Sequence, residues 1–178
     1  ESDWSSDVCS SDLAKGTLNP AEILGQVNRQ ITHDNDQSMF VTVFCALLDL
    51  RDGTLTYTNA GHNPPLLLPV QGAPHYLSGS PQLVIGACED YVYQTASIQL
   101  APGDCLLLYT DGITEAMNLQ DDLYSEERLL AVAAERQHQS VGELINGIIS
   151  SLRDFAAGAP QSDDITLMAI GYRGPGER

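Results

Sequence analysis

With 178 residues and 43% hydrophobic content, the chain is long enough for one domain with a real core and short for two. Its formal net charge of −16, from 24 acidic against 8 basic residues, argues against a nucleic-acid partner, because a polyanion would be repelled. No apolar run approaches the roughly 20 residues of a membrane span. The chain opens on Glu1 and Asp3 rather than on a basic signal-peptide region, so a cytoplasmic location is the default expectation.

The first thirteen residues, ESDWSSDVCSSDL, repeat Ser-Ser-Asp around Val8-Cys9 and lack any periodicity. They read as a non-native leader, a cloning or sequencing scar standing in place of natural sequence. Order begins at Asn19-Pro20, a helix N-cap followed by proline at the first helical position, with Glu22 placed as in a capping box. Ile23, Leu24, Val27 and Ile31 then share one helical face.

Residues 39–50, MFVTVFCALLDL, form a β-branched, apolar run too continuous for a half-wet strand. Asp52-Gly53 turns it into an alternating strand over 54–60, TLTYTNA. Gly61-His62-Asn63-Pro64-Pro65 interrupts the sheet, and Leu66–Leu68 resumes it. Residues 91–100 predict another strand, 101–104 a turn, and 105–110 a strand buried on both faces. Helices follow over 126–136 and 140–157. The second opens on Ser140 and Glu143 as a capping box and carries Leu144, Ile145, Ile148, Ile149, Leu152 and Phe155 as its apolar stripe. Residues 165–172 predict a closing strand and 174–178 a frayed tail. Of the four cysteines, Cys45 and Cys105 fall inside apolar strands, and no Cys-x-x-Cys spacing occurs, so the thiols read as reduced and structural. Antiparallel strands, a helix pair and one more strand predict an α+β layered fold.

Two acidic positions stand at junctions between an apolar strand and a loop: Asp111, followed by Gly112 and Glu115, and the pair Asp163-Asp164 after Ser162. Neighbouring strands would bring these ends side by side, where like charges cost free energy unless a cation binds between them. Hard divalent ions prefer carboxylate oxygens, and a short Asp at a strand end has few torsions to freeze. Asp-Gly also serves as a plain turn, Ser-Asp-Asp as a strand cap or a solvated run, and Glu115 as a surface residue. Spacing permits a metal site without requiring one.

Three segments in this order, MFVTVFCALLDLRDGTLTYTNAGHNPPLLL, LAPGDCLLLYTDGITEAMN and APQSDDITLMAI, resemble the C-terminal two thirds of bacterial metal-dependent serine/threonine phosphatases. The family is the SpoIIE/RsbU-like branch of the PPM, or protein phosphatase type 2C-like, superfamily. The resemblance implies a layered β-sandwich flanked by α-helices and a partial phosphatase domain over 14–173. It implies two Mn²⁺ or Mg²⁺ ions, with Asp111 and Asp163 as ligands and Asp164 as an alternative or supporting one. Gly112, Glu115, Asn59, Gly61 and Asn63 are the supporting loop residues. The implied chemistry hydrolyses phosphoserine or phosphothreonine with water activated between the ions and no enzyme nucleophile. His62 is a candidate general acid or phosphate contact, with loop ordering as its other role.

The family's Gly-Asp-x-x-Asp and Gly-Asp-Val-Ser-Gly segments do not occur in these 178 residues. The expectation is therefore an N-terminally truncated domain, inactive or nearly so and poorly soluble alone, with exposed sheet surface and strand edges. The implied substrate is a phosphorylated bacterial regulatory protein such as an anti-sigma-factor antagonist, with a sensor domain upstream. The alternative is a non-catalytic pseudophosphatase that binds a partner. A Ca²⁺-binding structural module lacks its D-x-[DN]-x-[DN]-G loop.

Overall fold

The computed structural model describes residues 19–33, 35, 39–79, 82–161 and 163–176. The expected leader 1–13, Cys9, Ser162 and the last two residues of the expected tail lie outside the described residues. In chain order the first elements are α1 (Pro20–His33), β1 (Val43–Leu48), β2 (Thr54–Ala60), β3 (Leu66–Leu68), β4 (His75–Tyr76) and β5 (Ala96–Gln99). They are followed by β6 (Cys105–Tyr109), α2 (Asp111–Thr114), α3 (Ser125–Glu135), α4 (Val141–Ala156) and β7 (Leu167–Gly171). These elements group into two compact units.

The first unit holds α1 and the sheet β1-β2-β5. Asn19 caps α1 through its Oδ1, which accepts from the Ala21 N–H at 2.9 Å, and Pro20 takes the first position, where its missing N–H costs nothing. Leu24 is buried, and Val27 and Ile31 pack beside it. The same face carries Asn28, fully buried at 0% exposure. Its Nδ2 donates to the carbonyls of Cys88 at 2.7 Å and Glu89 at 3.2 Å, and its Oδ1 accepts from the Gly86 N–H at 2.9 Å. One amide thus satisfies three backbone groups of the 86–89 turn, which apolar periodicity does not register.

The hairpin forms as its Asp52-Gly53 turn predicts, running antiparallel from Val43↔Ala60 to Leu48↔Leu55. Two expectations here need correction. The run 39–50 yields a strand only over 43–48, and Met39 and Phe40 are 65% and 68% exposed. β1 lies at the edge of its three-stranded sheet, where Val43 and Cys45 pack with α1 residues while Ala46 is exposed. The expected strand 91–100 shrinks to Ala96–Gln99, because Tyr91 and Tyr93 leave the ladder to pack with Leu24, Ala60 and Ile85.

The second unit holds the sheet β4-β3-β6-β7 and the helices α2, α3 and α4. Leu66–Leu68 does not resume the hairpin's sheet; Pro64 and Pro65, which lack ladder donors, precede a strand that pairs with β4 and β6 instead. The two-residue strand β4 carries no legible alternation. One face of this sheet, with Leu66, Leu68, Leu107 and Tyr109, packs on Leu129, Ala133, Leu144, Ile148 and Leu152 from α3 and α4. Ser140 caps α4 in the expected reciprocal box: its Oγ accepts from the Glu143 N–H, and Glu143 Oε2 accepts from the Ser140 N–H. The Ser140 hydroxyl, which donates to Glu143 Oε2 at 2.7 Å, and then the Ser140 N–H hold the Glu143 carboxyl below the usual carboxylate range. Asp104, 5% exposed, braces the turn before β6 by accepting from the N–H groups of Val70 and Ala101 at 2.7 and 2.8 Å.

Cys45, Cys88 and Cys105 are free thiols, and burial pushes Cys45 and Cys105 up from the ordinary thiol value. The Tyr109 hydroxyl is buried without a hydrogen-bond partner in good geometry, with Tyr76 and Asn63 its nearest polar neighbours.

Replacing Asn28 with Ala removes hydrogen bonds to three backbone groups of the 86–89 turn, of which the Cys88 carbonyl keeps the Tyr91 N–H as a donor, and is expected to lower stability by about 1–3 kcal/mol, measured from the denaturant midpoint. An unchanged midpoint contradicts this role. Burial raises Tyr76 and Tyr93 to about 12 and Tyr109 further still. The neutral phenols are favoured by the fold, so their contribution is complete below pH 10 and is lost as pH rises through 12. Thermal melts should therefore fall over that window, and absorbance at 295 nm should show a class of tyrosines ionising late.

Candidate metal centre

The pairing of β6 with β7 runs from Cys105↔Gly171 to Tyr109↔Leu167, which brings the chain after Tyr109 alongside the chain before Leu167. Thr110 closes this end of the ladder. Its N–H donates to the Thr166 carbonyl at 3.1 Å, its Oγ1 donates to the Asp164 carbonyl at 2.9 Å, and the same oxygen accepts from the Thr166 N–H at 2.9 Å. Asp111 directly follows this clamp, and Asp163 and Asp164 directly precede it. The structure therefore brings together, at one sheet end, the two backbone segments that carry all three aspartates.

Gly112 fits this arrangement for a reason other than turning. The chain does not bend away after Asp111 but enters the single helical turn α2, with extended Thr110 at its N-cap. Gly112 does not have a positive φ. A Cβ on it would lie 2.4 Å from the Asp164 carbonyl oxygen, so glycine is what lets the two segments touch. The plain-turn alternative for Asp111-Gly112 is therefore not what the chain adopts.

All three aspartates are exposed, as hydrated cation ligands need to be. Asp111 Oδ1 accepts from the Gly112 N–H at 3.0 Å, and Asp163 Oδ1 accepts from the Asp164 N–H at 2.6 Å. These local bonds fix the side chains while each carboxylate retains further acceptor capacity. Gln161 Nε2 donates to the Asp163 carbonyl at 2.7 Å and props the loop. Sequence reasoning missed Gln161, whose only signal is its position two residues before Asp163, and missed Thr166 for want of any charge.

Among the described residues, no group of three or more His, Cys, Asp or Glu side chains is arranged to hold a metal ion. One or two carboxylates with several waters suffice for a hydrated Mg²⁺-like ion. The donors present thus suit one hydrated hard cation, and fall short of a complete cage for two.

The remaining expected residues divide between the units. In the first, Asn59 closes the 59–62 turn: its Oδ1 accepts from the His62 N–H and its Nδ2 donates to the His62 carbonyl, both at 2.8 Å. The His62 ring Nδ1 lies 3.4 Å from Thr42 Oγ1. Gly61 adopts φ +75°, and a Cβ there would meet Val84 at 2.5 Å. In the second, Asn63 neighbours the Tyr109 hydroxyl, and exposed Glu115 ends α2 with its N–H donating to the Asp111 carbonyl at 2.8 Å.

Comparison with known proteins defines the class. Residues 9–173 match the family described as Stage II sporulation protein E (SpoIIE), and the chain belongs to this family of PPM-type, metal-dependent serine/threonine phosphatases. Protein IcfG of Synechocystis sp. is 32% identical over 142 residues, covering 80% of this chain and 22% of that protein. Phosphoserine phosphatase RsbU of Bacillus subtilis is 29% identical over 161 residues, covering 89% of this chain and 47% of its own. The chain thus spans less than half the length of either relative. The SiaA-PP2C domain of Pseudomonas aeruginosa superposes with a TM-score of 0.77 at 21% identity, over 89% of this chain and 63% of that one, which shows the fold. The mixed fold of antiparallel sheets and helices is accordingly that of PP2C domains.

Gly112→Ala should force the Asp164 carbonyl away and cost about 1–3 kcal/mol, as overpacking does, with the loss read from the denaturant midpoint. Wild-type stability in this variant would contradict the close approach.

Proposed function

We propose that the chain carries part of the catalytic centre of a protein serine/threonine phosphatase, with Asp111 and Asp163 as ligands of a divalent cation and Asp164 as an alternative ligand. The observation that supports this reading most is the Thr110 clamp, which holds the two aspartate-bearing segments against each other at one sheet end. Family membership supplies the reaction class. Mg²⁺ or Mn²⁺ bound there supplies a Lewis acid that acidifies water and offsets negative charge on phosphoryl oxygens.

The chain's own residues supply positioning. Thr110 fixes the strand ends, the Gly112 N–H orients Asp111, and Gln161 braces the loop of Asp163. His62 is proposed to order its loop with Asn59 rather than to transfer a proton, given the paired bonds between Asn59 and the His62 backbone. The substrate is a phosphorylated bacterial regulatory protein such as an anti-sigma-factor antagonist, regulated through an upstream sensor domain, in the cytoplasm. Among the described residues no helix is long and apolar enough to cross a membrane.

The 178-residue polypeptide is expected to hydrolyse phosphoserine peptides weakly, because its described residues offer no cluster of three acidic, His or Cys ligands. The same observation favours a second reading, a partner-binding module without turnover. Mn²⁺ titration by calorimetry, paired with phosphate release, separates the two. Asp111→Asn and Asp163→Asn should each weaken Mn²⁺ binding roughly tenfold or more and abolish residual hydrolysis, with Asp164→Asn milder. Mn²⁺ affinity untouched by Asp111→Asn refutes the centre. Cation binding without any phosphate release supports the non-catalytic module.

A further inference from the structure

A cleft of about 510 Å³ opens beside the candidate centre, between α2, the second half of α4 and the loop leading to β7. Its volume falls in the range of ligand pockets, roughly 300–1,000 Å³. Gly112 stands on its wall next to Asp111, and Ile165 stands there next to Asp164, so the cleft is continuous with the segments that carry the aspartates. Ala116, Met117 and Leu152 make the lining apolar, and Arg153 is the only charged residue among the described ones that line it.

That single cation matters because of where it sits. The whole chain has 8 Lys and Arg against 24 acids, so its overall field opposes an acidic partner. Screening over about 8 Å at physiological salt leaves local charges in control of close contacts. An apolar cleft with one guanidinium at its rim suits a segment bearing an apolar side chain and, close by, a carboxylate. The guanidinium fork matches a carboxylate in bidentate fashion. Arg153 also lies in the last turn of α4, where a cation offsets the helix dipole, and this structural role must be separated from recognition by experiment.

We propose that this cleft is a specificity subsite, in which an apolar side chain flanking the phosphoserine enters between Met117 and Leu152 while Arg153 pairs with an acidic side chain on the same substrate segment. The proposal rests on the phosphatase reading and adds the sequence context that the substrate presents.

The test uses synthetic alanine-rich phosphoserine peptides in which one Leu and one Glu are walked through the positions flanking the phosphoserine. Binding to the 178-residue chain is followed by fluorescence anisotropy in EDTA, with and without the phosphate. One register should bind roughly five- to tenfold tighter than the all-alanine flank, and changing its Glu to Lys should remove that gain. Arg153→Glu, an exposed position, should reverse the preference toward the Lys peptide by a similar factor with an unchanged circular dichroism spectrum. Ala116→Phe should remove the Leu dependence alone. A dipole role predicts lower helix stability and no reversal. No register preference in the wild-type chain, or no reversal in Arg153→Glu, overturns the subsite. A preference confined to phosphorylated peptides and insensitive to Glu overturns it too, assigning Arg153 to the phosphate. Hydrolysis under Mn²⁺ without register preference sinks the subsite alone; register preference with neither Mn²⁺ binding nor phosphate release sinks the phosphatase reading and leaves a peptide-binding cleft.

Discussion

The antiparallel pairing of β6 with β7 is the constraint on which the candidate site depends. Five residues of β6, four of them buried, meet five of β7, and that ladder ends where both chains turn acidic. Aspartates far apart in sequence are brought into one neighbourhood by backbone hydrogen bonding that is indifferent to their charge. Burial of Leu107 and Tyr109 against α3 and α4 stabilises the ladder, so the apolar core supplies the free energy that holds the two aspartate-bearing segments together. Thr110 adds a side-chain clamp at the last rung, and the missing side chain of Gly112 permits the closest approach.

Much of this was legible in the sequence where period and punctuation agree. The hairpin at Asp52-Gly53, the buried run at Cys105–Tyr109 and the capped helix after Ser140 appear as their patterns predict. The misses share a physical cause: local pattern does not report what lies across a sheet. An apolar run at 39–50 looks buried throughout, yet only the part paired with β2 is a strand. Leu66–Leu68 reads as a strand without revealing which sheet it joins, and the topology sends it to β6. Asn28 carries no signal in the helix pattern, because its three partners lie in a turn some 60 residues away.

The candidate site follows the same division. Asp111, Asp163 and Asp164 stand out in the sequence because they sit at junctions between an apolar strand and a loop. Gly112 stands out as well, but its dipeptide does not disclose the contact with the Asp164 carbonyl that the structure shows. Gln161 and Thr166 carry no signal in composition, since their value lies in donors directed at a loop backbone. Candidate donors are thus visible as residue types, whereas the backbone bonds that position them are visible only in the fold.

The central claim is that the segments around Asp111 and Asp163 form one oxygen-donor site for a divalent cation. Paramagnetic broadening by substoichiometric Mn²⁺ in amide-resolved NMR spectra tests it directly. The account predicts that the amides of Asp111–Ile113 and of Asp163–Ile165 broaden first and together. Broadening of one segment without the other, or first at the acidic Glu89-Asp90 turn with both segments unaffected, would contradict it.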